Sequence, residues 1–165
     1  MKALFSYRLL NLAAFAACTI AMLYALYLEH YQWLEPCPLC IFQRVATVAA
    51  GLLFLLAGLH NPGRLGRALY ALPTLLATGF GVFVAGRHVW LQSLPADQVP
   101  ACGPNLGYMM RNFPLQDVIQ TVLNGSGECA QIDWTFLTIS LPGWVLIMFI
   151  GLTLVALGSL FTPTR

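Results

Sequence analysis

The chain has 165 residues, of which 59% are hydrophobic and only 8% charged, with a formal net charge of +2. That balance excludes an ordinary soluble domain, which is about half apolar and a quarter charged, and so small a charge gives no footing for nucleic acid. A lipid bilayer accepts apolar surface on every side of a molecule, so the bilayer is the first partner the composition implies.

Four apolar segments are long enough to cross it, since a spanning helix takes about 20 apolar residues. The first, at about residues 9–28, follows a basic start and could pass for a signal peptide, with Phe15-Ala16-Ala17-Cys18 faintly like a lipoprotein cleavage site. The apolar run continues well beyond Cys18 and ends without a small-residue cleavage pattern, so the segment is read as a retained span. Cys18 then sits in mid-membrane, where a small buried hydrophobe is expected.

A short loop at 29–40 ends in Glu35-Pro36-Cys37-Pro38-Leu39-Cys40, and the second segment follows at about 41–59. Pro38 suits the first position of a helix, with Cys37 as the residue before it. Both sulfurs are therefore expected in the first turn, where unpaired amides and the helix dipole favour a thiolate over a thiol. Arg44 lies four residues after Cys40, one turn along the same face and about 6 Å deeper. A cation at that depth either snorkels to the head groups or holds a thiolate or an electron-rich ring.

The turn at 60–67 leads to a third segment at about 68–86, in which Ala77, Gly81 and Ala85 recur every four residues, a spacing that allows close helix contact. A long polar loop at 87–140 contains His88, Cys102 and Cys129. Within it Leu115, Val118, Ile119 and Val122 fall at helical spacing behind Pro114, and Asn124-Gly125 offers a stop. This predicts a short helix, either lying on the membrane surface or packed on the span ends. The fourth segment covers about 141–161. The fold class read from this pattern is an all-α membrane protein: one domain over 1–165, an antiparallel four-helix transmembrane bundle with two outer loops.

Sidedness follows from basic residues, which short cytoplasmic loops retain. Lys2, Arg8, Arg64, Arg67 and Arg165 lie on the face of the termini, against Arg44, Arg87 and Arg111 on the other, which also carries every acidic residue. The termini are expected in the cytoplasm and the loops outside. Cys37, Cys40, Cys102 and Cys129 then share the face where disulfides persist.

Three readings compete for these four thiols. Zinc is disfavoured, because 26 residues separate Cys102 from Cys129 where a second metal-binding pair would have two, and the compartment is oxidising; no metal is expected. Inert staples are the default for Cys102 and Cys129, where a bridge would restrict the unfolded chain by about 3–4 kcal/mol. For Cys37 and Cys40 that reading fails, because a bridge across two residues constrains almost nothing. Redox chemistry is the third reading, and the helix start and Arg44 favour it.

At this point the sequence resembles the disulfide bond formation protein B (DsbB) family of bacterial inner membranes. The resemblance runs over nearly the whole chain and rests on EPCPLCIFQR, HVWLQSLP at 88–95, Ala101-Cys102, ECAQIDWTFL at 128–137 and LPGW at 141–144. It implies a multi-pass inner-membrane enzyme with periplasmic loops, a thiol:quinone oxidoreductase. Its implied partners are a thioredoxin-fold periplasmic oxidase, DsbA, and the membrane quinone pool, ubiquinone or menaquinone. By the resemblance, the thiolate of DsbA attacks Cys102 in a Cys102–Cys129 disulfide, and released Cys129 attacks Cys37 of a Cys37–Cys40 bridge. Cys40 then passes the electrons to the quinone, with Arg44 and His88 as the quinone-binding residues. Gln43 stands where relatives carry an acid, and with Pro38 it is expected to shift the redox potential of the first pair. His30 and His60 are read as interfacial.

Two alternatives differ in kind. A protein like vitamin K epoxide reductase would place its C-x-x-C near the end of a late span. A structural four-span protein with static disulfides would leave Arg44 and the short bridge unexplained.

Overall fold

The computed structural model describes residues 6–95, 97–101, 103 and 106–162; Cys102, Lys2 and Arg165 lie outside them. In chain order the elements are α1 (Tyr7–Tyr31), α2 (Pro38–His60), α3 (Arg64–Gln92), α4 (Leu106–Asn112), α5 (Leu115–Asn124), α6 (Gly127–Ala130), a hairpin of β1 (Thr135–Phe136) and β2 (Ile139–Ser140), and α7 (Leu141–Leu160). Among the described residues, α1, α2, α3 and α7 are the four helices long and apolar enough to cross a membrane. They form the expected all-α bundle. Leu52, Leu56, Leu69, Leu72 and Leu76 stay exposed along it, a surface that water would penalise and lipid does not.

The helices α1, α2 and α3 run longer than the apolar segments that announce them, while α7 matches its segment to within a residue. The largest extension is in α3, whose 29 residues make a rod of about 43 Å at 1.5 Å per residue, against a hydrocarbon core of about 30 Å. Arg87 and His88, placed at the start of the outer loop by the sequence, instead form part of the last turns of α3. Hydropathy marks where lipid ends, whereas a helix continues as long as its backbone bonds are met.

Small residues set the packing. Phe54 and Phe149 are fully buried among Ala14, Ala46, Ala50, Ala85 and Ala156. Gly81 meets the Phe149 ring so closely that an added Cβ would overlap it, which is the close contact the Ala77-Gly81-Ala85 spacing allows. Cys18 is buried in this cluster, and its Cβ lies 3.2 Å from where a Cβ on Gly51 would stand, so it is a packing residue. At one end of the bundle Arg67 is buried. It donates to the carbonyls of Pro62 (3.1 Å) and Thr162 (2.7 Å) and lies over the Tyr7 ring at 4.4 Å, tying α1, α3 and the end of α7 together.

At the other end the long loop folds onto the helices. The helix expected behind Pro114 is α5, and it packs on the span ends through its buried side chains. Val118 and Val122 join Leu39, Val84, Leu91, Met109 and Cys129 in a second core, while Leu115 and Ile119 remain exposed. The stop is Gly125 at φ 83°, pressed against Leu91. Arg87 donates to the carbonyls of Leu123 (3.2 Å) and Asn124 (2.9 Å), satisfying the open C-terminus of α5 with a cation. Ser140 donates to Gln92 at 2.7 Å and Trp144 to the Phe136 carbonyl at 3.1 Å, which fixes the hairpin between α3 and α7.

Gly81→Ala is expected to cost about 1–3 kcal/mol by overpacking, seen as a lowered thermal transition of the detergent-solubilised protein. Phe149→Leu in the same chain should recover part of that loss; no coupling between the two substitutions would contradict the contact.

Candidate functional site

The site begins at the first turn of α2. Cys37 is its N-cap, in extended backbone at φ −65° and ψ 162°, and Pro38 occupies the first helical position. A helix start leaves amides without partners, and a cap side chain takes one of them. Here the acceptor is sulfur: the Cys40 amide donates to Cys37 Sγ at 3.3 Å, and the two Sγ atoms stand 2.8 Å apart. Both sulfurs lie in the first turn, as the proline pattern predicts.

The long loop brings a third sulfur to the same place. Cys129, on α6, is 1% exposed, and Cys37 Sγ, Cys129 Sγ and a ring nitrogen of His88 all lie within 4.8 Å of one another. Ser126 and Cys129 are in contact through their side chains at 3.7 Å, and Cys129 shares a buried core with Leu39. Leu39 is the second helical residue of α2, so the first turn of that helix meets sulfurs from two distant parts of the chain.

His88 reaches this group because α3 is overlong. Its Nε2 lies 3.8 Å from Cys37 Sγ, and its Nδ1 pairs with the Gln43 side-chain amide at 3.1 Å; both residues are buried. Arg44 forms an ion pair with Glu29 of α1 and donates to the Ala25 carbonyl at 3.4 Å. Cys37, Cys40, His88 and Arg44 all line one cavity of about 1200 Å³ that opens between α1, α2 and α7, where α7 and α1 pack more thinly than the other neighbouring helices. Its rim is aromatic: Trp134 meets Tyr24 edge-on at 5.8 Å and stacks on Phe136 at 6.2 Å, which in turn touches Trp144 at 6.0 Å. An apolar chamber with a few convergent polar groups is the usual form of a small-molecule site, and Arg44, His88 and the aromatic rim suit a flat ring carrying oxygens.

Of the residues singled out from the sequence, Cys37, Cys40, Cys129, Arg44 and His88 are thus brought to one end of the bundle, and Cys102 lies outside the described residues. Glu29 was missed, as were the rim aromatics, and Gln43 was noted without its partner. Glu29 and Arg44 sit at matching depths on antiparallel neighbours, a signal that could have paired them. His30 and His60 have local partners, the Leu26 carbonyl at 3.0 Å and the Tyr70 hydroxyl at 2.7 Å.

The hydrogen bonds divide the protons unequally. A bond from the Cys37 thiol holds the Cys129 pKa down to about 6 against its burial, with help from the amides of Leu39 and Ser126 and the Ser126 hydroxyl. Cys37 is pushed up correspondingly, by its bonds to Cys129 and Cys40 and then by burial. Between these two sulfurs the proton therefore favours Cys37 over Cys129. Because the Cys129 pKa is lowered, its thiolate is present above about pH 6 and lost as pH falls through that value. Ultraviolet absorbance of the reduced protein should show a thiolate with that midpoint, and Cys37→Ala should move it upward; an unchanged midpoint in Cys37→Ala would refute the pairing.

A model of the family described as "Disulfide bond formation protein DsbB" matches residues 7–158. Relatives named disulfide bond formation protein B agree along nearly their full length. The protein from Acinetobacter baumannii is 54% identical over 157 residues, covering 94% of this chain and 92% of its own. Those from Hahella chejuensis and Nitrosococcus oceani are 50% identical over 155 residues and 49% over 146, covering 94% and 88% of this chain and 94% and 86% of their own. A match of that extent, on a bundle of four membrane-length helices with thiols gathered at one end, makes this chain a member of the DsbB family of disulfide bond formation proteins.

Proposed function

We propose that the chain is a thiol:quinone oxidoreductase of the bacterial inner membrane, with its cysteine end in the periplasm, that reoxidises a DsbA-like thioredoxin-fold partner. The observation that carries this reading is the meeting of Cys37, Cys129 and His88 within 4.8 Å, with Cys37 and His88 on the wall of a cavity that also reaches Cys40 and Arg44.

In the relay, a donor thiolate attacks Cys102 of a Cys102–Cys129 disulfide. A mixed disulfide forms and Cys129 leaves as thiolate. Cys129 then attacks Cys37: the Cys37–Cys129 bond forms, the Cys37–Cys40 bond breaks, and the electron pair leaves on Cys40. The second donor thiol resolves the mixed disulfide and Cys102 leaves as thiolate. Cys102 then attacks Cys129: the Cys102–Cys129 bond re-forms and the Cys37–Cys129 bond breaks. The donor thus leaves oxidised by two electrons, and Cys37 and Cys40 hold them as a dithiol. A thiolate must reach a disulfide sulfur directly for each exchange. The low pKa of Cys129 supplies that thiolate, and the first-turn amides of α2 receive the charge arriving on Cys40.

Arg44 and His88 would hold a quinone in the cavity, which when bound supplies an acceptor for two electrons and two protons. Arg44 would offer a fixed positive charge to an oxygen-bearing ring, and Glu29 holds the guanidinium in place.

The test combines purified protein, a reduced thioredoxin-fold donor and a soluble quinone, and follows quinone reduction. Cys40→Ala should abolish turnover and Cys102→Ala should stop the donor forming a mixed disulfide. Arg44→Ala should raise the quinone KM about 10- to 100-fold, the worth of one charge-assisted hydrogen bond, with the helical content unchanged. Full turnover by Cys40→Ala would overturn the assignment of the terminal donor.

A further inference from the structure

The distance of 26 residues between Cys102 and Cys129 argues against zinc along the chain, but ligands are chosen in space. Among the described residues, one group of three metal-capable side chains meets here, drawn from three elements: Cys37 before α2, His88 on α3 and Cys129 on α6. We propose that the dithiol form of this site binds a thiophilic divalent cation, zinc or cadmium, through Cys37 Sγ, Cys129 Sγ and His88 Nε2.

The spacing fits. Tetrahedral zinc, with bonds of about 2.3 Å to sulfur and about 2.0 Å to nitrogen, sets its ligands about 3.5–3.8 Å apart. Cys37 Sγ and His88 Nε2 are 3.8 Å apart, and no pair of the three exceeds 4.8 Å. Small side-chain rotations close the remainder. Cys37 and His88 line the cavity, so a cation has an entry path and its fourth corner faces a space that admits water.

The histidine is also prepared for the role. A ligating imidazole is neutral and passes its other N–H to a hydrogen-bond acceptor that fixes its orientation. Gln43 already sits 3.1 Å from Nδ1, buried with it. Turning the amide over presents its oxygen to Nδ1–H and leaves the Nε2 lone pair for the metal. Two thiolates neutralise the dication, and binding releases to solvent any thiol proton the two sulfurs still carry.

Metal and disulfide exclude each other, because any bridge that includes Cys37 removes at least one of the two thiolates. The cation therefore takes the site only when electrons have accumulated on it, and its presence blocks Cys129 from exchanging with Cys37. This inference rests on the site's geometry and not on the identity of donor or acceptor, so it can fail or succeed apart from the proposed activity.

Full-length protein carrying Cys102→Ser is reduced with a phosphine, freed of metal and titrated with Cd²⁺, following the sulfur-to-cadmium ultraviolet band; Zn²⁺ is measured by competition with a chromophoric chelator. One cation per chain is expected in the reduced protein and none after oxidation. Gln43→Leu should weaken binding about 10- to 100-fold, as loss of an orienting partner does at other sites, and Cys129→Ala and His88→Ala should weaken it more. Cys40→Ala should retain it. Loss of binding in Cys40→Ala with retention in Cys129→Ala would reveal an ordinary C-x-x-C chelate and overturn the proposal, as would a reduced protein without the band. Should His88→Ala not fold, the contrast between Cys40→Ala and Cys129→Ala decides the matter.

Discussion

The site depends on the unpaired amides at the start of α2. A helix entering an apolar medium must find acceptors for its first N–H groups. In this chain one acceptor is a sulfur atom: Cys37 takes the Cys40 amide, and Cys129 shares the buried core of Leu39 in the same turn. A requirement of backbone hydrogen bonding thus becomes a device for holding negative charge on sulfur. Pro38 contributes by starting the helix at a fixed residue and by having no amide of its own to satisfy.

The remaining architecture brings partners to that point. Close contact between α3 and α7, made possible by Gly81 against Phe149, holds α3 firmly enough for its last turns to project past the lipid-length segment with His88 on them. Arg87, one residue earlier, fastens α5 through its terminal carbonyls. The second core beneath α5 includes both Leu39 and Cys129, so the loop's apolar face and its sulfur dock as one unit. The thinner packing of α7 on α1 leaves the chamber beside Cys40 and Arg44.

The sequence announces the four spans because lipid demands long apolar runs, and it announces the Cys37 cap because proline fixes a helix start. Where α3 ends was not legible, since His88 and Gln92 are helical for reasons of hydrogen bonding that hydropathy does not record. The pairs Gln43–His88 and Arg44–Glu29 depend on how neighbouring helices are rotated, which a single sequence does not state. The approach of Cys129 to Cys37 was reachable only through family resemblance, for no local pattern links two residues so far apart in the chain. The hairpin was hidden for another reason. Leu137 and Thr138 turn at φ 50° and 67°, a conformation usually given to Asn or Gly, and tertiary contacts such as Trp144 to the Phe136 carbonyl override that preference.

Burying Cys129 in the packing of α6 has a kinetic meaning. Its sulfur has only a few ångströms to travel to Cys37, and the folded chain has already met the entropy of bringing them together. Reactions between groups so confined behave as if each saw the other at an effective molarity of up to about 10⁵–10⁸ M. In the proposed relay the internal exchange would be unimolecular and brief, and the waiting time of each cycle would fall on encounters with separate molecules.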